Sequence, residues 1–539
     1  MQALERRLQA LRAPGVAALL LAVTLLAYLP GFFSLPPVDR DETRFAQTTR
    51  QMLQTGDLID LRFQDGVRYR KPVGIYWMQA AAVAATGETE GAAIWRYRLP
   101  SLAAAIASVL LMAGLMRRLG APQAALAAGL LMATVFILGA QARLAKTDAV
   151  VLLTVVLAMG PLISAFRDDK VSTARALLFW AALGVSLLVK GPIGPMVPVL
   201  AIPLLALPRR GFGWLAALQP WRGLLLLLAI VLPWYVAITI KSGGAFWSEA
   251  LARDLIGKVQ EVQEGHGAPP GFYLLTLWFS FFPASAALAL ALPQLWASRR
   301  TQVFLIALAC ALPGWLIFEL TPTKLIHYTL PFYPALAIAL AAVWAQAVAQ
   351  PRRWAMALAG LVLLLPLALV IAIAVKAGEL GPHPWEPLLL AFALLLAGTA
   401  LALRALRAHL PLVTLLALCL SGIGLQVALF PTAAATPALW LTRDLARAIP
   451  VTEACPTPTL YAVGIREASM VFESPGRVVW ASPDEAARAL VEDACAVAAV
   501  SAAETFVAPP GVVALRPLAG MNLGTGKRME LVLWGRAPG

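Results

Sequence analysis

The chain has 539 residues, of which 60% are hydrophobic and 13% charged, and its formal net charge is +14. Soluble domains carry about 25% charged residues, so this balance excludes a soluble enzyme and requires a polytopic α-helical membrane protein. The positive charge could suggest an anionic partner, but most membrane proteins collect Lys and Arg on their cytoplasmic loops whatever they do. No Walker loop, dinucleotide fingerprint, zinc finger or nucleic-acid motif occurs.

Residues 14–33 form the first apolar run, behind Glu5, Arg6, Arg7 and Arg12. They are long enough to cross a hydrocarbon core of roughly 30 Å, and no small-residue cleavage site follows, so they read as a retained span. Asp39, Arg40, Asp41 and Glu42 come next. Asp39 and Glu42 have the spacing of a helix N-cap and its reciprocal acid, and Phe45, Thr49, Met52 and Leu53 continue along one face. Capping accounts for two of the three acids. Asp41 is left over in the first turn, where the helix dipole favours an ionised carboxylate.

Arg117 and Arg118 follow the apolar run that begins at Leu99, so residues 34–98 form a loop on the side opposite the N-terminus. Within it, residues 72–85 are apolar but fall short of the ~20 needed to span, which predicts one or two interfacial helices. Further spans are expected at 121–141, 149–166, 176–189, 193–207 and 223–240. After a second outer loop, 241–270, more follow at 272–296, 303–318, 328–345, 354–375, 388–403 and 410–430, with Lys190-Gly191-Pro192 as a hairpin turn. About thirteen spans result. Lys and Arg then favour the inner loops by roughly two to one, which places the N-terminus in the cytoplasm and residues 431–539 outside.

Those last residues change character. Short strands are expected at 459–463, 477–480, 496–500, 512–515 and 529–534, and Ser482-Pro483-Asp484-Glu485 opens a helix with a capping box. The transmembrane region, 1–430, is thus followed by a small α/β domain. Cys455 and Cys495 each precede a strand, and parallel pairing of those strands would bring them within disulfide reach in an oxidising compartment. Cys310 and Cys419 lie in apolar spans as packing residues.

Asp41-Glu42-Thr43-Arg44-Phe45-Ala46, Gly66-Val67-Arg68-Tyr69-Arg70-Lys71-Pro72 and Tyr76-Trp77 together resemble the first outer loop of polyprenyl-phosphate-dependent membrane glycosyltransferases with the GT-C fold. The lipid A aminoarabinose transferases are the most similar group. Leu188-Val189-Lys190-Gly191-Pro192 and Thr323-Lys324-Leu325-Ile326-His327-Tyr328 resemble later signatures of the same group. Phe45 stands where such proteins often have Tyr, so no tyrosine hydroxyl contact carries over to it.

The resemblance implies a transferase that moves 4-amino-4-deoxy-L-arabinose from undecaprenyl phosphate to a lipid A phosphate at the periplasmic face of a bacterial inner membrane, acting as a monomer. Its donor phosphate needs a cationic clamp where water is scarce. Lys71, with Tyr69 and Arg70 beside it, and Lys324 and Arg253 in other outer loops are the candidates. Asp41, with Asp148 as a second cavity acid, would serve as base or as positioning carboxylate. No organic cofactor is implied. Glu261, Glu264 and His266, with Glu88 and Glu90, could assemble a divalent-metal site, although their spacing is no recognised metal motif. His327 is expected to pack, and Glu42 to cap. A sibling transferase of another sugar is the alternative, and a lipid-linked sugar flippase is the alternative from another class; a flippase should show paired broken-helix repeats, and none is evident.

Overall fold

The computed structural model describes residues 1–87, 91–250, 267–381 and 383–536. Among the described residues nine helices are each long and apolar enough to cross a membrane, from Ile94–Arg118 to Pro411–Ala434. Three bent pairs, Gln2–Gln9 with Ala13–Tyr28, Pro122–Ala133 with Phe136–Ala142, and Phe272–Ser280 with Ala284–Ala297, together with the shorter Ile193–Arg209, account for the other apolar runs. Every span expected from hydropathy is therefore helical, but several are broken or short. Backbone polar groups without water must bond within their own segment, which makes the helix the only open-ended solution at these positions.

Asp148–Asp168 is sheathed by neighbours along nearly its whole length, whereas Arg353–Leu380 is mostly bare and apolar, as a lipid-facing helix would be. Glu386–Arg407 and Pro411–Ala434 pack backbone to backbone. A Cβ on Gly398 would lie 2.6 Å from the Ser421 nitrogen, and one on Gly424 would lie 2.9 Å from the Ala391 carbonyl oxygen. Small residues permit such an approach where no hydrophobic driving force separates helix from lipid.

Residues 72–85, expected at an interface, form one helix, Gly74–Ala85. It rests on Asp41–Thr55, Ile94–Arg118 and Thr173–Lys190, so one face is covered by protein. A short hairpin between β1 (Arg62–Phe63) and β2 (Gly66–Val67), too brief to show in the periodicity, precedes it.

The tail folds as a five-stranded sheet of β3 (Thr459–Val463), β4 (Val478–Trp480), β5 (Ala496–Ser501), β6 (Val512–Asn522) and β7 (Lys527–Arg536), in the order β4-β3-β5-β7-β6. β3 runs parallel to both β4 and β5, and β7 is antiparallel to β5 and β6. Ser482 and Glu485 form the expected capping box at the start of Pro483–Glu492. The last two strands are much longer than their apolar stretches, because a β6–β7 ladder carries polar residues on its open face.

Parallel pairing of Thr459 with Ala496 brings Cys455 and Cys495 together, and they are disulfide-bonded with Cα atoms 5.3 Å apart. Closing a loop across 40 residues removes denatured-state entropy worth about 4 kcal/mol in the chain-entropy picture. Thiol reduction, or Cys455→Ser with Cys495→Ser, is therefore expected to speed proteolysis of the tail while leaving the helical region resistant. Equal protease half-lives with and without reductant would contradict this.

Candidate active site

The helix Asp41–Thr55 begins one residue later than its acid spacing suggests. Arg40 is the N-cap, and neither Asp39 nor Glu42 caps. Both acids instead make tertiary contacts. Asp39 Oδ1 accepts from the Ser469 backbone nitrogen at 2.9 Å and from its hydroxyl at 3.2 Å, tying the turn to the tail domain. Glu42 is buried and fully satisfied: Arg98 donates to both its oxygens at 2.8 and 2.9 Å, Val38 N to Oε2 at 2.8 Å and Ala145 N to Oε1 at 2.8 Å. The spacing of a capping box is shared by any two acids three residues apart, and long-range partners won here.

Arg40 reaches its place with φ 69° and ψ −113°, a conformation that costs a non-glycine residue on the order of 1–3 kcal/mol. Its guanidinium donates to the Gly524 carbonyl of the tail, a contact that holds the strained turn from the other side.

Glu42 also fixes the segment that faces Asp41. Ala145 N is bound by Glu42, Ala145 O accepts from Gln79 Nε2 at 3.1 Å, and Lys146 O accepts from the Ser101 hydroxyl at 3.0 Å. Lys146 Nζ consequently lies 3.9 Å from Asp41 Oδ2, while Arg68 Nη2 lies 3.9 Å from Asp41 Oδ1. The Asp41 side chain is 52% exposed, open to the cavity in front of it. Burial raises its pKa, but Lys146, Arg68, Lys71 and Arg44 outweigh burial and hold the carboxyl well below the usual carboxylate range. Asp41 stays ionised at any pH near neutral.

That cavity has a volume of about 600 Å³. Its long apolar part is walled by Leu187, Met196, Val199, Leu200, Ile317, Phe318 and Tyr328, and its polar end holds Asp41, Arg70, Lys71, Lys146, Asp148, Lys190 and His327. Lys190 Nζ donates to Asp148 Oδ1 at 2.6 Å, and its ammonium stands 5.6 Å from the ring centre of Tyr328. Each partner of that ion pair sits at the helix end that suits its charge: Asp148 starts Asp148–Asp168, and Lys190 closes Thr173–Lys190. His327 Nε2 is 3.7 Å from the same Asp148 oxygen. Burial pushes its imidazole down to about 3 against the pull of Asp148, so it is neutral. Among the described residues of the lining, Arg70, Lys71 and Lys146 share the polar end with Asp41 and the Asp148–Lys190 pair.

The expected clamp is thus only partly assembled. Lys71 and Arg70 line the cavity. Tyr69 is buried and donates its hydroxyl to Asp60 Oδ1 at 2.7 Å, an arrangement that pushes its pKa up to about 12. It lies outside the cavity lining and belongs to the loop's packing. Lys324, also expected there, is buried with its ammonium on the carbonyls of Ala268 at 2.9 Å and Thr321 at 2.6 Å, so it staples a loop. Arg253, His266 and Glu88, with Glu90, Glu261 and Glu264, lie outside the described residues; among the described residues no group of three His, Cys, Asp or Glu could hold a metal. Three cavity residues carried more than their sequence reading gave them. Lys146 read as a charge near Asp148, Lys190 as part of a turn, and His327 as packing. The signal for Lys190 was an ammonium at the end of an apolar span with no acid within a helical turn of it.

A family model described as dolichyl-phosphate-mannose-protein mannosyltransferase matches residues 70–236, the stretch from Arg70 and Lys71 through Lys146, Asp148 and Lys190. The solved structure of ArnT from Cupriavidus metallidurans, bound to undecaprenyl phosphate, superimposes with a TM-score of 0.75 at 20% identity, over 97% of this chain and 98% of that one. The chain has the membrane-glycosyltransferase fold. An archaeal oligosaccharyltransferase from Archaeoglobus fulgidus shares it more loosely, with a TM-score of 0.53 at 13% identity over 88% of this chain and 64% of that one. In sequence, the undecaprenyl phosphate-α-4-amino-4-deoxy-L-arabinose arabinosyl transferase of Pseudomonas aeruginosa is 34% identical over 334 residues, 58% of each chain. A similarly named protein of Enterobacter is 30% identical over 66% of this chain and 64% of its own. The match thus spans between about half and two thirds of the curated relatives' length.

Glu42→Ala leaves Arg98 buried without its partner, and breaking such a pair costs roughly 3–5 kcal/mol. The variant is expected to accumulate poorly and lose monodispersity in detergent, whereas Asp41→Asn, at a half-exposed side chain, should purify like the parent. Because the Asp41 carboxyl is depressed in the fold, its electrostatic contribution is complete above the ordinary carboxylate pKa and disappears only as pH falls below it. Thermal stability of Asp41→Asn and parent, measured from pH 8 downwards, should therefore converge only on the acid side of about pH 4.

Proposed function

We propose that this chain transfers 4-amino-4-deoxy-L-arabinose from undecaprenyl phosphate to a phosphate of lipid A at the outer face of a bacterial inner membrane. The observation that carries the reading is the single cavity in which a long apolar slot ends at Arg70, Lys71, Lys146 and Asp41. A polyprenyl chain would fill the slot and its phosphate would stop at the cations. The sequence relatives bear the name of this activity, and the structural relative was solved with undecaprenyl phosphate.

In this reading the acceptor oxygen attacks the anomeric carbon of the donor sugar, the bond from that carbon to the phosphate oxygen breaks, and its electron pair stays on the leaving phosphate. Lys71 and Arg70 stabilise the charge that grows there, in surroundings where the apolar walls exclude water and strengthen each interaction. Asp41 is a poor proton acceptor, since its pKa is depressed, and a base works best with a pKa near the operating pH. A phosphate acceptor needs no such base, so Asp41 positions the aminosugar or the acceptor. Asp148, Lys190 and neutral His327 form the wall behind it. The reaction requires no nucleotide and no redox cofactor.

Orientation follows from two features. The disulfide Cys455–Cys495 belongs to an oxidising compartment, and Lys and Arg concentrate on the loops at the opposite side. Both favour a periplasmic tail and a cytoplasmic N-terminus.

Asp41→Asn is expected to lower transfer at least a hundredfold while undecaprenyl phosphate still binds, as read by transfer from a radiolabelled lipid-linked donor. Lys71→Ala should weaken donor binding about tenfold or more, in keeping with the loss of a charge-assisted contact. Mass analysis of lipid A from cells with and without the gene decides the reading as a whole. An unchanged lipid A spectrum under inducing conditions, or full turnover by Asp41→Asn, would reject it.

A further inference from the structure

A second cavity, about 690 Å³ in volume, lies between the tail sheet and the turn that carries Asp41. Arg40 and Arg44 enter it from the helix side, and Arg466, Glu504, Asn522 and Gly524 from the tail. Three guanidinium groups from two separate parts of the chain therefore surround one space. Asp39 is also in the wall, with one oxygen committed to Ser469. The walls are held in register by two contacts that cross the gap, Arg40 on the Gly524 carbonyl and Ser469 on Asp39, and Gly524 is itself fixed within the tail by its nitrogen on Glu467 Oε1 at 3.1 Å.

Arg40 at the N-cap and Arg44 in the first turn of the helix both line this space. Asp41 sits between them in sequence and points into the first cavity, and Arg44 acts on its carboxylate electrostatically as well as lining the second space. The two cavities thus meet across a single helical turn, about 5.4 Å of rise. The apolar one suits a lipid-linked donor; the polar one has no room for an acyl chain in its chemistry, but its arginines match a phosphate. Guanidinium binds phosphate through paired, planar N–H donors, and several such groups on one space select a multiply charged oxyanion over a neutral sugar.

We propose that this interdomain cavity is the docking site for a phosphomonoester on the sugar headgroup of the acceptor, with Arg40, Arg44 and Arg466 as its ligands. The proposal rests on the transferase reading above and adds where the acceptor is held. It gives the tail domain a function: Arg466 closes a site whose other half is the catalytic turn, so acceptor recognition requires both domains.

Arg466 is exposed, remote from Asp41 in sequence and uninvolved in the donor cavity, which makes it the residue to vary. Full-length protein in zwitterionic nanodiscs is titrated with a deacylated, bisphosphorylated glucosamine disaccharide, with the same disaccharide lacking phosphate, and with inorganic phosphate. The parent is expected to bind the bisphosphorylated disaccharide at least tenfold more tightly than either of the others. Arg466→Gln should weaken that binding tenfold or more, and Arg466→Lys should recover part of it, while undecaprenyl phosphate binds all three proteins equally. In turnover, Arg466→Gln should raise KM for the acceptor with kcat and the donor KM unchanged. Equal headgroup affinity in parent and Arg466→Gln would overturn the site, and so would equal affinity for the unphosphorylated disaccharide. Inorganic phosphate binding as tightly as the disaccharide would overturn the headgroup as its occupant. A parent that binds the headgroup but transfers no sugar leaves this site standing and rejects the transferase reading, whereas transfer with an unchanged acceptor KM in Arg466→Gln does the reverse.

Discussion

The bidentate pair between Glu42 and Arg98 is the interaction on which the rest of the site depends. Arg98 is fully buried and also donates to the carbonyls of Phe32, Leu35 and Pro36, so one side chain binds the end of the first apolar segment to the helix Ile94–Arg118. Glu42 adds the backbone nitrogens of Val38 and Ala145. Taking two charges out of water is costly, and such pairs persist where every remaining lone pair and proton is satisfied. Here every carboxylate oxygen has two donors. The result is that three chain segments, around residues 32–42, 98 and 145, share one reference point, and the adjacent Asp41 inherits its position from them.

Holding Asp41 in this way matters because its surroundings are electrostatically one-sided. Lys146 and Arg68 stand 3.9 Å from its two oxygens without closing to a tight bond. A carboxylate locked in a 2.6 Å pair, as Asp148 is with Lys190, has its charge already answered. Asp41 keeps lone pairs available at the mouth of an apolar slot while its proton affinity is suppressed. The same cations, Lys146, Arg68, Lys71 and Arg44, lower the proton affinity of Asp41 against the effect of burial.

The fold was legible wherever hydrophobicity alone decides. Each apolar run became a helix because lipid leaves the backbone no other solution, and the capping box at Ser482 and Glu485 appeared because both partners are local. The bends were not legible: the pair Phe272–Ser280 and Ala284–Ala297 turns by 115° within one hydrophobic run, and hydropathy does not record direction. In the site, Asp41, Arg70 and Lys71 stood out because charged residues beside a span need a reason. Tyr69 and Lys324 stood out equally, yet face Asp60 and two loop carbonyls. Nothing local separates a lysine that lines a cavity from one that staples a loop, since the difference is made by chain segments that arrive from far away. Lys190 and His327 were undervalued for the same reason, their shared partner Asp148 being 42 and 179 positions distant by their numbering.

The acid spacing at the opening turn shows how a local rule and a tertiary contact compete. Asp39 could have capped the helix, a contribution of about 1 kcal/mol. It instead accepts two hydrogen bonds from Ser469, a residue 430 positions away, and Arg40 adopts a left-handed backbone to make room for that choice. A local cap would have stabilised the helix at the loss of one of its ties to the tail, which it also holds through Arg50 on the Phe472 carbonyl at 2.9 Å. The contact that formed leaves Asp41 facing the apolar-walled cavity and Arg40 facing the tail. Asp41 therefore takes its place from long-range contacts on both sides of the turn, at Ser469 and Gly524 in the tail and at Arg98 in the membrane region.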